Sequence, residues 1–305
     1  MKVGLNLINF GPGASPSSLL AWTRLAESVG YHFVMTSDHV AMTADVVARY
    51  PAPFYDPWVT LGWLAGQVST IELGTTVIIV PYRHPLETAR LVANVDRVSD
   101  GRFIFGLGVG WAKQEFEALG VAFERRGAIT DDYIRAMKAC WTGDRAWYDG
   151  KFVSFRDVDT RPRPVRTPHP PIWVGGGSDA AIRRAARLGD AWHPIRIRLA
   201  PIREQGLPKL AEFSQREGRA TPAFCPRIRL RITDQAMPDG ERLCGEGTVD
   251  QIRRDFGELE TLGAQYVLLD TYADDVEATR QHETAWRMIA TIAERVVDLA
   301  RQSVR

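Results

Sequence analysis

The chain has 305 residues, 45% of them apolar and 25% charged, with a formal net charge of +1. That length allows one large α/β domain or two small ones, and the near-neutral balance supplies no general field for nucleic acid or an anionic membrane. No apolar run reaches the roughly 18 residues that a membrane span needs, and Cys140, Cys225 and Cys244 are too widely spaced for a disulfide framework or a zinc site.

The start, Met1-Lys-Val-Gly-Leu-Asn-Leu, enters a strand pattern without the basic head, apolar run and cleavage site of a signal peptide, so a cytoplasmic location is expected. Strand and helix patterns then alternate. A strand over 3–8 precedes a helix over 17–29 that stops at Gly30. A second strand at 33–36 leads into a long polar loop through Tyr55. Asp56-Pro57 opens a helix running to about Val68, because proline suits the first helical position. Strand three is predicted over 71–80, a helix over 85–99 and strand four over 102–107. A helical segment near 114–119 and a helix over 127–141 follow. Trp147–Phe155 alternates around Asp149-Gly150, a hairpin signal, and Arg161–Pro171 reads as a rigid extended connector. Strand five covers 171–174 and runs into Gly175-Gly176-Gly177. The helix after it is capped by Ser178 or Asp179 and ends at Gly189. Strand six at 190–192, a helix over 201–217, strand seven over 227–232, a helix over 248–262, strand eight over 266–269 and a last helix over 275–304 complete the pattern.

Eight strands, each followed by a helix and with no linker, predict one domain over residues 1–305. The expected fold is a closed (β/α)8 TIM barrel with insertions after strands four and seven, at 144–169 and 225–247. A doubly wound sheet is the alternative, but it usually has fewer strands and carries its glycine-rich turn after the first.

In a barrel the reactive groups sit at the C-terminal ends of the strands. Gly175, Gly176, Gly177 and Ser178 lie at such an end and at a helix start, where outward amides form an anion cradle. Asp38 and His39 are the best polar pair. His39 is expected to exchange a hydrogen bond with a cofactor or substrate, with Asp38 setting its tautomer or capping the loop. His193 and Asn6 are substrate-side candidates. Gly108, Gly110 and Trp111 lie at the end of strand four, where glycines let a flat ring approach the backbone. The histidines show no metal-binding spacing, so no protein-ligated metal is expected. The absence of paired carboxylates and of a Gly-x-Ser-x-Gly elbow argues against glycosidase and hydrolase chemistry.

Taken together, Ser37-Asp-His39, Asp56-Pro-Trp, Ile71-Glu-Leu-Gly-Thr-Thr-Val77, Arg83-His-Pro85, Asp100-Gly-Arg-Phe, Gly106-Leu-Gly-Val-Gly-Trp111, Glu115-Phe-Glu-Ala-Leu-Gly120, Arg161-Pro-Arg-Pro, Pro170–Gly177 and Arg187–Pro194 resemble the luciferase-like monooxygenase superfamily, and its F420-dependent oxidoreductases in particular. The resemblance runs from about residue 3 to 200 and resumes near Gly247; 200–246 matches poorly, which assigns substrate choice to that segment and to loop 40–55. It implies a barrel binding the deazaflavin F420, or alternatively FMN, at the strand ends. It implies a non-prolyl cis peptide at Thr76–Val77 behind the ring, His39 near the reacting edge, and Gly176, Gly177 and Ser178 on the phosphate. In sugar-phosphate dehydrogenases of this kind an acid follows the strand-four glycines. Here that position is Trp111, which points to a more apolar substrate; Glu115, about one helical turn further on, could partly replace the acid, but a role at the surface or at a helix start is expected.

The function expected is hydride transfer between F420 and a small apolar organic molecule. The rivals are an FMN-dependent two-component monooxygenase fed by a separate reductase, and a non-catalytic flavin- or deazaflavin-binding protein. A homodimer is expected through the helix over 57–68, which carries Trp58, Leu61, Trp63 and Leu64 on more than one face.

Overall fold

The computed structural model describes residues 1–272 and 274–305. Its central sheet counts ten strands, and two pairs of them are halves of interrupted strands, leaving eight positions. These are β1 (Lys2–Asn6), β2 (Phe33–Thr36), β3 (Glu72–Thr75, resumed at Ile78–Ile79), β4 (Phe103–Gly108), β5 (Ile172–Gly175), β6 (Ala191–His193), β7 (Ala223–Phe224 and Arg227–Arg229) and β8 (Tyr266–Asp270). Every pairing within this sheet is parallel. Neighbours follow chain order, and β1 pairs with both β2 and β8. The two parts of β7 flank Pro226, which has no N–H to give to a ladder. The first part pairs with β6 and the second with β8. The result is a curled parallel sheet covered by helices, the arrangement of a TIM-barrel-like fold.

The helices start where local chemistry allows. Ser15 and Ser18 form a reciprocal capping box ahead of α1 (Pro16–Val29), and Gly30 closes it with φ 96°. Asp56 accepts hydrogen bonds from the Trp58 and Val59 amides at the head of α2 (Pro57–Ala65). The other large helices are α3 (Pro85–Val98), α4 (Arg126–Thr142), α5 (Asp179–Leu188), α6 (Leu207–Arg216), α7 (Val249–Thr261) and α8 (His282–Arg295). The expected hairpin is present, with Arg145–Asp149 antiparallel to Ser154–Asp159. No helix among the described residues is long and apolar enough to cross a membrane.

Three expectations are corrected. Strand three is not continuous over 71–80, because a cis peptide at Thr76–Val77 interrupts it. Strand seven does not run from 227 to 232: Arg231–Ile232 leave the main sheet and pair with Glu246–Gly247. The last helix covers 282–295 rather than 275–304. Beyond it, Val297–Asp298 and Ser303–Val304 form a small antiparallel pair, which buries Val296 and Val297 in the core.

The sheet interior is layered. Phe33, Met35, Ile104, Trp173, Ala191, Cys225 and Leu268 form an apolar cluster inside it. Strand side chains repeat every two residues, so the next positions toward the C-terminal ends on β5 to β8 are Gly175, His193, Arg227 and Asp270. The interior thus changes from apolar to polar one layer below the mouth.

Candidate active site

The chain leaving β2 delivers Asp38 and His39, both buried. Asp38 does not face the histidine. Its carboxylate accepts two hydrogen bonds from the Arg83 guanidinium, at 2.7 and 2.9 Å, and one from the Ile79 amide at 3.0 Å. Of its two expected roles the tautomer-setting one is therefore corrected, and Asp38 ties loop ends together. Arg83 extends the tie to Asp56 at 3.3 Å. The Arg83 guanidinium loses solvation on burial, but its carboxylate partners more than offset this and raise its pKa.

The group that faces His39 is Glu115, from the short helix Lys113–Ala118 that follows β4. Glu115 Oε2 lies 2.6 Å from His39 Nδ1 and accepts the Tyr82 hydroxyl at 2.8 Å. Its Oε1 accepts the Val40 and Ala41 amides at 2.6 and 3.0 Å. Glu115 lies in the first turn of that helix, as expected, but it is 0% exposed, so the expected surface role is corrected. Burial alone would push its carboxyl up, but the hydrogen bonds from His39, Val40 and Tyr82 hold it below the usual value. Burial and the adjacent Glu115 charge push the Tyr82 phenol far up, so it stays a donor. Sequence reasoning missed the role of this carboxylate because its partner is 76 residues away in the chain. The signal was its place on the first turn after a barrel strand.

The break in β3 carries the cis peptide Thr76–Val77. A Cβ on Gly108 would lie 2.8 Å from Val77 Cγ2, and one on Gly175 would lie 2.9 Å from Val77 Cγ1. These glycines on β4 and β5 therefore make room for the Val77 side chain. Gly110 has φ +78°, and a Cβ there would strike Ile79 and Phe116 at 2.7 and 2.8 Å. Its side-chain space is filled by protein, which corrects the reading of Gly110 as a place of ligand approach.

Below the cis bond lies the polar layer. His193 is completely buried, with Nδ1 on the Cys225 carbonyl and Nε2 2.9 Å from Thr76 Oγ1. Burial lowers its pKa to about 4, so it is neutral near pH 7. Both ring nitrogens are engaged, so the expected substrate-side role of His193 is corrected. Arg227 donates to the Thr76 carbonyl at 3.1 Å and to Asp270 at 2.7 Å. Asn6 Nδ2 donates to Asp270 at 2.9 Å, while Asn6 Oδ1 is buried and has no partner among the described residues. Asn6 is thus the member of this layer with an acceptor left over.

At the end of β5, Gly176 has φ +109° and Gly177 has nothing within 4 Å of an added Cβ. Ser178 caps α5 by accepting the Ala181 amide at 3.3 Å. A cavity of about 330 Å³ opens there, lined by Gly177, Asp179, Arg196, Arg198 and Lys209 among others. Lys209 is paired with Asp179 and Arg196 with Asp274; the amides at the helix start, the Arg198 guanidinium and the open side at Gly177 suit a phosphate group.

Above His39 stands an aromatic wall. The rings of Tyr50, Phe54 and Trp111 lie 5.4, 5.5 and 5.8 Å from its imidazole, centre to centre. Phe10 and Tyr272 continue the wall behind Tyr50. Trp111 stays 40% exposed, with the Arg49 guanidinium over its ring. Two of these residues, Tyr50 and Phe54, come from the loop in which substrate choice was expected.

This set fits a flat cofactor with a phosphate tail. The Val77 side chain would back one face, the cradle at Gly177 has room for the tail, and Asn6 Oδ1 is a buried acceptor without a partner among the described residues.

Residues 1–237 match the sequence profile described as luciferase-like monooxygenase. An uncharacterized protein of Mycobacterium tuberculosis is 34% identical over 205 residues, 63% of this chain and 71% of its own. An F420-dependent glucose-6-phosphate dehydrogenase of Beutenbergia cavernae is 32% identical over 224 residues, covering 72% of this chain and 65% of its own. The oxygenase component of a flavin-dependent trigonelline monooxygenase from Acinetobacter baylyi is 31% identical over 153 residues, 50% of this chain and 40% of its own. Among solved structures, an F420-dependent secondary alcohol dehydrogenase has the same fold, with a TM-score of 0.76 at 15% identity over 92% of this chain and 96% of that one.

Proposed function

Starting from the fact that the chain belongs to the luciferase-like monooxygenase family, we propose that it is an F420-dependent oxidoreductase acting on a small apolar organic substrate. When bound, the deazaflavin would supply hydride transfer. The observation that carries this reading is His39, whose Nε2 has no hydrogen-bond partner among the described residues while Nδ1 is held by Glu115. The residues give this site three tasks. Gly176, Gly177 and Ser178 at the head of α5 would bind the phosphate, with Gly175 and Gly108 seating Val77 against the ring. Trp111, Tyr50 and Phe54 would exclude water and select a flat or apolar substrate. His39 would hold or move one proton at Nε2. A polar substrate with many hydroxyls would find no acid at position 111 to pair with.

A second reading uses FMN and a separate reductase. It is favoured by the relatives named for that chemistry, the trigonelline monooxygenase above and an FMNH2-dependent dimethylsulfone monooxygenase of Pseudomonas putida. Titrating the purified protein with F420, FMN and FAD separates the two: tighter binding of F420 supports the first reading, and selective binding of FMN overturns it. The proposal includes a single barrel domain with additions at 144–169 and, because Arg227–Arg229 belongs to the barrel sheet, at 230–247 rather than 225–247, a cytoplasmic location and a homodimer. For the dimer, α2 leaves Val59 and Trp63 exposed on the side away from the core.

A further inference from the structure

We propose that Glu115 is the positioning residue of this site, and that it fixes His39 as the tautomer protonated at Nδ1, leaving the Nε2 lone pair toward the pocket. The inference rests on the reading of His39 given above for its consequence, but the tautomer itself is a property of the free protein.

Four groups converge on the two oxygens of Glu115: the Val40 and Ala41 amides on Oε1, the Tyr82 hydroxyl and His39 Nδ1 on Oε2. Two are backbone amides, which can only donate. The Tyr82 hydroxyl points at the carboxylate and has no other acceptor among its hydrogen bonds. A carboxylate accepts about four hydrogen bonds and donates none. Three donors besides His39 already converge on the carboxyl oxygens, which stabilises the anion, and a carboxylate is a weaker base than an imidazole, so the hydrogen between the two lies on His39 Nδ1. A neutral imidazole with hydrogen on Nδ1 presents an acceptor at Nε2. Should Nε2 take a proton from a substrate, the imidazolium forms 2.6 Å from the buried carboxylate, which stabilises it. Glu115 does not itself face the aromatic wall or the cavity, so it acts through His39 and through the two amides of the loop.

The substitution that tests this is Glu115→Gln. The amide oxygen stays with the Val40 and Ala41 amides, which need an acceptor, and the NH2 replaces Oε2. That NH2 then donates to His39 Nδ1 and drives the hydrogen to Nε2. Nitrogen NMR of histidine-labelled protein, without cofactor or substrate, reads which ring nitrogen is protonated. The expected result is Nδ1–H in the wild type and Nε2–H in Glu115→Gln. Tyr82→Phe removes one donor and leaves Glu115 anionic, so Nδ1–H should persist there. A wild-type His39 protonated at Nε2 overturns the proposal without any variant, and so does an unchanged tautomer in Glu115→Gln. If the tautomers are as expected but His39→Ala has full turnover, the reading of His39 fails while the positioning by Glu115 stands.

Discussion

Replacing Gly177 by valine is the sharpest test of the phosphate cradle. The native backbone there is not in the left-handed region, and an added Cβ meets no atom within 4 Å. Folding should therefore change by no more than about 0.5 kcal/mol, the usual range for an open surface position. Binding is a different matter. A branched side chain in the open space at Gly177 would separate the incoming phosphate from the amides that start α5. A hydrogen bond to a charged group is worth about 1.5–3 kcal/mol, so losing one such contact predicts a rise of roughly 10- to 150-fold in the dissociation constant. Two measurements separate these effects: a denaturant midpoint for folding, and a fluorescence titration with F420 and with FMN for affinity. A folded variant that binds as tightly as the wild type refutes the cradle. A variant that loses stability and affinity together would show that the space is not open, and would refute the reasoning at its first step.

Four further outcomes are expected. His39→Ala should lower turnover by about 10²–10⁴-fold with cofactor affinity kept, the usual worth of acid–base assistance; His39→Asn, which hydrogen-bonds but does not titrate, separates polarisation from proton transfer. Arg83→Ala leaves the Asp38 carboxylate, with a side chain 0% exposed, short of its charged partner, and should cost about 3–5 kcal/mol in chemical denaturation; a loss below about 1 kcal/mol would mean that water replaces the guanidinium. His193 has its folded pKa lowered to about 4 by burial, against about 6.5 when unfolded. The unfolded chain therefore binds more protons between those values, and stability should fall as pH drops from about 6.5 to about 4; a His193→Gln protein should lack that segment of the pH–stability curve, and identical slopes would count against a buried neutral imidazole. Light scattering should find a dimer at micromolar concentration, weakened by Trp63→Glu on the exposed side of α2, whereas a wild-type monomer would remove the reason for that exposed apolar pair.

The order of strands and helices was legible because each element carries its own local signal. Pro57 after Asp56, Gly30 after Val29 and the Asp149-Gly150 turn each act within a few residues. The cis bond at Thr76–Val77 was placed by likeness to a family, since nothing in Thr-Thr-Val by itself demands it. The failures share one cause. Glu115, His193 and Gly110 were judged by neighbours in sequence, while their surroundings come from segments far along the chain: Val40 and His39 for the first, Thr76 and Cys225 for the second, Ile79 for the third. A buried ion pair or a filled glycine pocket has no local pattern. The end of the chain failed for a related reason. Apolar periodicity continues past Arg295, but the pairing of Val297 with Val304 outweighs helical propensity there.

The two oxygens of Glu115 face different tasks. Oε1 holds the first residues of the loop that carries Tyr50 and Phe54, and Oε2 holds the histidine. A carboxylate is rigid and planar, so a shift of the loop that turns one oxygen turns the other. Substrate preference and proton chemistry are thus geared together through one side chain. Lengthening or redirecting the loop to admit a bulkier molecule would also rotate the acceptor beneath His39. Variation that keeps both properties intact should be confined to residues beyond Ala41, where the loop has left the carboxylate's grip.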